Sequence, residues 1–422
     1  STPMRRLFTI AAILLFAATA QAADWPQWLG PERNGVSGET GLMQSWPATG
    51  PVVQWRVPLG KGFSGISIAD GRIYTMYAAD GDEYAICLDA QTGEEIWRYR
   101  TGPYYKESQG GDGPRSTPTV DGATVYVLSA TGNIYSLTTA HGALIWKKDL
   151  TAEFDSEVPK WGFSTSVLVE GDLLLLEAGG VDGNFVVDMV IDRTTSTTAV
   201  ALDKATGNTV WTALDEKMSY SSPVAFTAAG QHQAAFFTAY SLTGLALEDG
   251  RQLWQLPWKT RWDVSASTPI FIPPDKLFIS TGDDSGAAVL QITGSGDDIA
   301  IEKIWQNKRM KTHFGTAIHY QGHLYGFDKS ILKCLDATTG EEKWKSRGYG
   351  KGNLLIADGH LFILSEEGQL GLVEATPETF REKSKSQIFN GRCWTVPSIA
   401  DGRIYARDEN EIVCLDVRKS VQ

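Results

Sequence analysis

The segment LDAQTGEEIW, residues 88–97, contains the pattern that decides the fold. It joins an apolar strand end, a Thr-Gly turn and a second strand that carries tryptophan. Four related segments follow along the chain: LTTAHGALIW (137–146), LDKATGNTVW (202–211), LEDGRQLW (247–254) and LDATTGEEKW (335–344). Self-similarity at a period of about 45 residues is typical of repeat architectures built from one supersecondary unit per repeat.

A second pattern precedes these segments and supplies the other half of each repeat. Eight times a short apolar strand meets a two-residue turn and a second apolar strand, from ISIADGRIYTMY (66–77) to PSIADGRIYARD (397–408). Asp-Gly between alternating apolar runs is a strong hairpin signal. Four strands in about 45 residues make one propeller blade. We therefore predict an all-β fold, an eight-bladed propeller of four-stranded antiparallel blades.

The two ends of the chain predict how the ring closes. The last blade ends at EIVCLDVRKSVQ (411–422) without a tryptophan strand, whereas PVVQWRVPLG (51–60) is a tryptophan strand without a blade. Pairing the two would remove exposed sheet edges. We expect three parts: a cleaved signal peptide (1–22), an N-terminal extension (23–50) and a single propeller domain (51–422).

The repeated tryptophans are predicted to be structural. A glycine before each one allows the turn a positive φ, and the large indole then packs against the neighbouring blade. Blade seven has Phe380 and Ile388 where a tryptophan is expected. The predicted inter-blade residues are Trp55, Trp97, Trp146, Trp211, Trp254, Trp305 and Trp344.

The N-terminal residues have the features of an export signal. Arg5 and Arg6 precede an apolar run at residues 7–20, and Ala20-Gln21-Ala22 is a small-x-small cleavage pattern. This run is too short to span a membrane. We expect cleavage after Ala22, no transmembrane segment in the remaining chain, and a periplasmic or secreted bacterial protein. The formal net charge of −12 disfavours a nucleic-acid partner, and we expect a monomer.

The four cysteines are expected to be free thiols. Cys87, Cys334 and Cys414 occupy the same slot in three repeats, which places them on separate sheets, too far apart for a disulfide. Cys393 shares a blade only with Cys414 and falls on a different strand. The chain has neither a CxxCH haem motif nor a CxxC zinc pair, and we predict no metal site.

Several segments carry a family resemblance. The AxDxxTGxxxW pattern resembles the tryptophan-docking motif of pyrroloquinoline quinone (PQQ) propellers. The segments DWPQWLGPERNGVSGETGLMQSWP (24–47), WGFSTS (161–166), YSSPV (220–224) and GRCWTVPSIADGRIY (391–405) resemble exported bacterial PQQ-binding-like β-propeller repeat proteins. The likeness covers nearly all of the mature chain. It implies the fold, but the group includes both quinone-dependent dehydrogenases and assembly scaffolds such as the BamB propeller.

The resemblance also implies what an enzyme of this group should contain. Quinone-dependent alcohol dehydrogenases carry a vicinal Cys-Cys disulfide over the cofactor and a Ca²⁺ held by oxygen ligands. This chain has no Cys-Cys pair, and its acidic clusters (80–83, 282–286 and 294–299) lie in Gly-rich turns. We therefore expect no cofactor. PQQ with Ca²⁺ belongs only to the alternative interpretation, an oxidoreductase with His313 or Asp263 as the base.

One group of residues is a candidate binding site. In a propeller the first strand of each blade lines the central channel, so the residues just before it ring one mouth. Aromatic walls with a few polar groups suit a small-molecule pocket, whereas the same aromatics could simply plug the channel. The candidate residues are Lys61, Arg115, Trp161, Tyr220, Trp262, Asp263, His313, Lys351, Arg392 and Trp394.

These observations favour a non-catalytic function. We expect an exported scaffold that binds a protein, peptide or small ligand, through its loops or by addition of a strand at a blade edge. The segments 151–163 and 178–198 break the repeat spacing and are candidate binding loops. A PQQ-dependent oxidoreductase that uses the channel mouth is the alternative, and polysaccharide binding is a third class.

Overall fold

A computed structural model describes residues 24–179 and 197–420. The predicted signal peptide and most of segment 178–198 lie outside the described residues. Two strands precede the first blade, β1 (Val36–Ser37) and β2 (Val52–Pro58). One short helix, α1 (Leu150–Glu153), follows the second blade. Within the described ranges, no helix is long and apolar enough to cross a membrane.

The first four blades each contain four consecutive strands, ordered from the channel outwards. Blade one contains β3 (Ser67–Ala69), β4 (Arg72–Ala79), β5 (Asp82–Asp89) and β6 (Glu95–Pro103), and blade two contains β7 (Thr119–Asp121), β8 (Thr124–Leu128), β9 (Asn133–Thr138) and β10 (Leu144–Asp149). Blade three contains β11 (Leu168–Glu170), β12 (Leu173–Glu177), β13 (Ala199–Asp203) and β14 (Thr209–Ala213), and blade four contains β15 (Val224–Ala228), β16 (Gln231–Phe237), β17 (Ser241–Ala246) and β18 (Gln252–Pro257).

The last four blades complete the ring. Blade five contains β19 (Ile270–Ile272), β20 (Lys276–Ser280), β21 (Ala287–Ser295) and β22 (Asp298–Asn307), and blade six contains β23 (Ile318–Tyr320), β24 (His323–Asp328), β25 (Ile331–Asp336) and β26 (Glu342–Ser346). Blade seven contains β27 (Asn353–Ala357), β28 (His360–Leu364), β29 (Gln369–Glu374) and β30 (Glu382–Gln387). Blade eight contains β31 (Ser398–Ala400), β32 (Arg403–Arg407) and β33 (Glu411–Asp416), with β2 as its outermost strand.

This topology confirms the predicted eight-bladed propeller and its closure. Strand β2 pairs antiparallel with β33, placing Trp55 opposite Cys414. Each blade contributes an alternating apolar face to the core between blades, where the fully buried side chains lie. All four cysteines are buried and free, as the sequence predicted.

Most of the predicted inter-blade tryptophans make one recurring contact. Six of them, all except Trp254, donate the indole N–H to a backbone carbonyl of the next blade at 2.7–3.0 Å. Trp254 instead donates to Gln233 of its own blade at 2.6 Å. The next blade is blade five, whose β21–β22 hairpin has no Thr-Gly turn of the repeat type to receive an indole.

Blade seven obtains its tryptophan from elsewhere in the chain. Its register pairs Phe362 with Leu372 and Leu372 with Ser384, so Ser384 occupies the position that Trp344 occupies in blade six. The assignment of Phe380 and Ile388 to this position was therefore wrong. Trp46 of the N-terminal extension packs there instead, with its ring centre 6.2 Å from that of Phe362. The corresponding distance is 6.1–6.3 Å in five other blades.

The extension, residues 24–50, crosses the end of the channel away from the predicted mouth. Trp25 forms a bridge with Ile68 of blade one, and the Pro26 carbonyl accepts from Val120 of blade two at 2.8 Å. Strand β1 then pairs parallel with β27, the inner strand of blade seven. Further along, the Leu42 N–H donates to Asp358 at 2.9 Å. The extension thus connects blades one and two with blade seven before it reaches β2.

Candidate functional site

The candidate residues lie on what we call the mouth face, formed by the segments that join the outer strand of one blade to the inner strand of the next. Inner strands line the channel in every blade, so the residue just before each strand stands at the same end of the ring. Phe63 precedes β3, Arg115 precedes β7 and Trp394 precedes β31. The repeat therefore brings distant parts of the chain to one rim.

Arg392 and two aromatic rings form the centre of this rim. The guanidinium carbon of Arg392 lies 3.9 Å from the ring centre of Trp394 and 5.3 Å from that of Phe63. The same guanidinium donates to the Gly110 carbonyl at 3.1 Å and pairs with Glu409 at 3.3 Å. Its charge is thus paired within the protein, and one of its terminal nitrogens donates to the protein backbone.

Arg115 is held in a similar way beside this centre. Its guanidinium carbon lies 5.7 Å from the Phe63 ring centre and 5.2 Å from that of Tyr105, and it donates to the carbonyls of Gly111 and Gly113. Burial lowers its pKa below the ordinary value, in spite of nearby acidic groups. Together, Arg115 and Arg392 fasten segment 104–115 across the mouth.

Aromatic side chains continue the rim on one side. The Tyr105 hydroxyl donates to the Pro159 carbonyl at 3.3 Å, close to Trp161. Trp161 meets Tyr220 edge-on with ring centres 5.5 Å apart, and the Trp161 backbone N–H donates to the Tyr220 hydroxyl at 3.4 Å. Burial raises the pKa of Tyr220 to about 12, so the phenol remains protonated at neutral pH.

Charged groups continue the rim on the other side. Phe314 lies 4.8 Å from Trp394 and 5.1 Å from His313, measured between ring centres. The Lys351 ammonium lies 3.4 Å from His313 Nδ1. Burial, with Lys351 and Lys329 nearby, lowers the pKa of His313, which keeps the imidazole neutral at neutral pH. We call the whole set, from Trp161 through Tyr105 and Phe63 to Lys351, the mouth arc.

Three of the sequence-predicted residues lie outside the mouth arc. Lys61 turns to Asp112, with Nζ 3.2 Å from its carboxylate. Asp263 pairs with Lys217 at 3.3 Å. Trp262 is 70% exposed and lies beneath the guanidinium of Arg261, which is 5.1 Å from its ring centre. The structure leaves Lys61 and the blade-five residues Trp262 and Asp263 apart, and it unites the other seven: Arg115, Trp161, Tyr220, His313, Lys351, Arg392 and Trp394.

Sequence reasoning missed Tyr105 and the buried carboxylates that position the rim. Glu83 accepts from the Tyr105 N–H at 2.9 Å, and Glu177 accepts from the Ser219 N–H at 2.8 Å. Both carboxylates are fully buried on blade strands. The only available signal was an acidic residue within an apolar strand, because burying an acidic side chain is costly unless it is hydrogen-bonded or protonated.

Glu177 predicts an unusual dependence of stability on pH. Burial raises its pKa from 4.5 to about 8, and its Oε1 has no hydrogen-bond partner among the described residues. Because the folded pKa lies above the unfolded one, this residue's contribution to stability falls as pH rises through that window. Thermal melts of Glu177→Gln should therefore show a smaller loss of melting temperature between pH 5 and pH 9 than the parent protein.

An exposed acidic residue provides the control for this prediction. Glu94→Gln should follow the parent curve across the same pH range, because Glu94 lies in an exposed turn. Parallel curves for Glu177→Gln and the parent would show that Glu177 does not carry the effect.

A metal centre finds no support in the described parts of the chain. Over residues 24–179 and 197–420, no group of three or more His, Cys, Asp or Glu side chains is placed to hold a metal ion. His319 and His323 flank the turn of blade six, where the His323 ring bonds the Gln321 carbonyl at 3.0 Å. The mouth residues also fit a bound quinone poorly, because Arg392 covers one face of Trp394 and both terminal nitrogens of Arg115 donate to backbone carbonyls.

The tryptophan-docked repeats, the ring closed by an early strand and the mouth arc define an eight-bladed propeller of the quinoprotein type. A family model described as outer membrane protein assembly factor BamB matches residues 81–346, which is more than half of the chain. The chain belongs to this family. BamB of Burkholderia pseudomallei (strain K96243) is 24% identical over 364 residues, covering 82% of this chain and 81% of the relative.

Solved structures show the same architecture. BamB from Moraxella catarrhalis superposes with a TM-score of 0.61 at 14% identity, covering 88% of this chain and 99% of the other. The Sqt1 protein of Saccharomyces cerevisiae gives 0.55 at 10% identity, covering 90% of this chain and 100% of the other. At these identities the likeness concerns the fold alone.

Proposed function

We propose that this protein is a non-catalytic, exported propeller that binds another polypeptide through its mouth face during the assembly of outer-membrane proteins. Membership of the BamB family supports a protein-binding scaffold. The observation that carries the choice of face is Trp262, whose side chain is 70% exposed although the segment around it is held in place.

The segment around Trp262 is fixed by several contacts. The Arg261 N–H donates to the Asp283 carboxylate at 2.8 Å, and the Val264 N–H donates to the Thr260 hydroxyl at 2.8 Å. Asp263, the residue after Trp262, forms an ion pair with Lys217. A tryptophan and an arginine presented on such a segment lose little conformational entropy on binding, and these two residue types are enriched among binding hot spots.

Two further pairs on the mouth face repeat this chemistry. Lys160 lies 4.7 Å from the ring centre of Trp161, and Lys259 lies 4.7 Å from that of Tyr240. A protein with a net charge of −12 thus gathers cations over aromatic rings on one face. Such pairs supply both apolar area and positive charge to a polypeptide partner.

The oxidoreductase alternative receives less support from the same residues. A quinone would need free cations to polarise its carbonyls and an open aromatic face for stacking. Arg115 and Arg392 are instead bound to carbonyls of segment 104–115, and Arg392 lies over Trp394. We therefore propose that the protein functions without a quinone.

Loss of Trp262 should weaken partner binding strongly. A photo-crosslinking amino acid at position 262, in the native bacterium, should capture an outer-membrane protein or a component of its assembly machinery. With that partner purified, Trp262→Ala should raise Kd about 30-fold, which is the size of a hot-spot truncation of about 2 kcal/mol. Binding is measured by calorimetry on the mature protein.

A blade-edge variant distinguishes the two docking modes. Val210 is 50% exposed on the outer strand β14, so Val210→Ala tests strand addition at that edge. It should leave Kd unchanged. If Val210→Ala lost binding and Trp262→Ala did not, the partner would dock on a blade edge and the proposed face would be wrong.

A further inference from the structure

A shallow hollow opens on the mouth face between blades six and seven. Its walls include His313, Phe314, Gly315, Phe327, Lys329 and Lys351. Gly352 contributes to the rim, and a Cβ there would come within 2.7 Å of the Phe327 ring. The hollow therefore has two phenyl rings in its walls, backbone at two glycines and two ammonium groups.

The lysines of this hollow are not neutralised within the described chain. Among residues 24–179 and 197–420, neither Lys329 nor Lys351 has a carboxylate within ion-pair distance. Glu366, the acidic group that acts on His313, accepts from the indole N–H of Trp394 at 2.7 Å. In a chain with a net charge of −12, two cations without an ion pair in one hollow favour an anionic ligand.

His313 adds a directed donor to this arrangement. The Lys351 ammonium donates to Nδ1 at 3.4 Å, so the proton of the neutral ring lies on Nε2. Burial and the two lysines keep the ring neutral by lowering its pKa. The N–H of the neutral imidazole is thus on the ring nitrogen that does not face Lys351.

A buried amide beside the hollow also has no acceptor. Asn353 is only 3% exposed, and its Nδ2 has no hydrogen-bond partner in the described residues. Its side chain lies against the wall, since a Cβ on Gly315 would stand 3.1 Å from Asn353 Oδ1. An unpaired buried donor costs free energy.

We propose that this hollow binds a carboxylate of the polypeptide partner, either an acidic side chain or the chain end, with its apolar stem against Phe314 and Phe327. The inference rests on the proposed function and names one chemical group that the partner must offer. Lys329 and Lys351 supply the charge, and His313 supplies a hydrogen bond.

Imidazole NMR of the mature protein tests this inference. The chain has six histidines, so ¹³C-histidine labelling gives few signals. The signal that is missing in a His313→Gln variant is that of His313. Three probe peptides are titrated: acetyl-Gly-Gln-Phe-Gly with a free carboxylate, acetyl-Gly-Glu-Phe-Gly-amide and acetyl-Gly-Gln-Phe-Gly-amide. We expect saturable movement of the His313 signal with the first, the second or both, and none with the third. The arm that responds identifies the source of the carboxylate.

A charge-matched pair of variants completes the test. Lys351→Met should weaken the responding peptide about 10-fold, the usual effect of losing one charge-assisted hydrogen bond. Lys343→Met removes the same charge from an exposed site on β26, the outer strand of blade six, and should leave the affinity unchanged. The other five histidine signals report whether each variant is folded.

Three results would overturn the inference: no movement with either carboxylate peptide, equal movement with the neutral peptide, or unchanged affinity in Lys351→Met. If one of these results is obtained while crosslinks from position 262 still form, only the carboxylate site is refuted. The proposed function then stands.

Discussion

Replacing Trp46 by alanine is expected to destabilise the protein by about 3–5 kcal/mol, the usual cost of truncating a buried tryptophan. Trp46 is 8% exposed and fills the docking position of blade seven, where its backbone N–H donates to the Ser384 hydroxyl at 2.8 Å and its indole N–H to Ser386 at 3.0 Å. The measurement is chemical denaturation of the mature protein, followed by tryptophan fluorescence and circular dichroism.

Trp262→Ala is the matched control, because that indole is mostly exposed. It should change the free energy of unfolding by less than about 0.5 kcal/mol. A double variant, Trp46→Ala with Ser384→Trp, places the indole on the strand as in the other blades and should recover part of the loss. Equal stabilities of Trp46→Ala and Trp262→Ala would show that the extension does not complete blade seven.

Arg407→Met should cost about 3–5 kcal/mol, since it removes a fully buried cation and leaves the carbonyls that it binds without that donor. Arg407 lies on β32 of blade eight and donates to Met76 of blade one at 2.6 Å and to Gly60 at 3.0 Å. Burial lowers its pKa to about 10, which still leaves it charged at neutral pH. It therefore joins the last blade to the first, at the closure of the ring.

An exposed arginine separates this effect from a simple loss of charge. Arg381 pairs with Glu374 and Glu378 on the surface of blade seven, with 47% of its side chain exposed. Arg381→Met should cost no more than about 1 kcal/mol, as is usual for surface ion pairs. Denaturation midpoints of the two variants, compared at one salt concentration, provide the measurement. A cost for Arg407→Met as small as that for Arg381→Met would contradict the closure role.

The repeat made the fold predictable, and the same repeat located the rim. Asp-Gly hairpins and Thr-Gly-tryptophan turns recur at a fixed spacing, so the strand assignment in each repeat supports the assignment in the others. The register also identified the residues before each inner strand, including Arg392 and Trp394. What the pattern could not supply was the partner of each side chain, because those partners lie on connecting segments that have no repeat.

Two examples show where sequence reasoning stopped. Arg115 and Arg392 were expected to face a ligand, yet both bind carbonyls of segment 104–115. The course of that segment depends on Tyr105 and Glu83, which have no counterpart in the repeat pattern. Likewise, Trp46 lies outside every repeat, and its place in blade seven depends on a contact with Ser384, 338 residues away.

The path of the extension has a consequence for the order in which the chain can fold. Strand β1 pairs with β27, Trp46 bonds to Ser384, and β2 pairs with β33. These three N-terminal segments therefore have no partners until blades seven and eight have formed. Pairings of such long sequence separation are slow to form, because loop closure comes before any gain from contact. Closure of the ring is therefore a late step of folding, because it needs the strand that ends at Asp416.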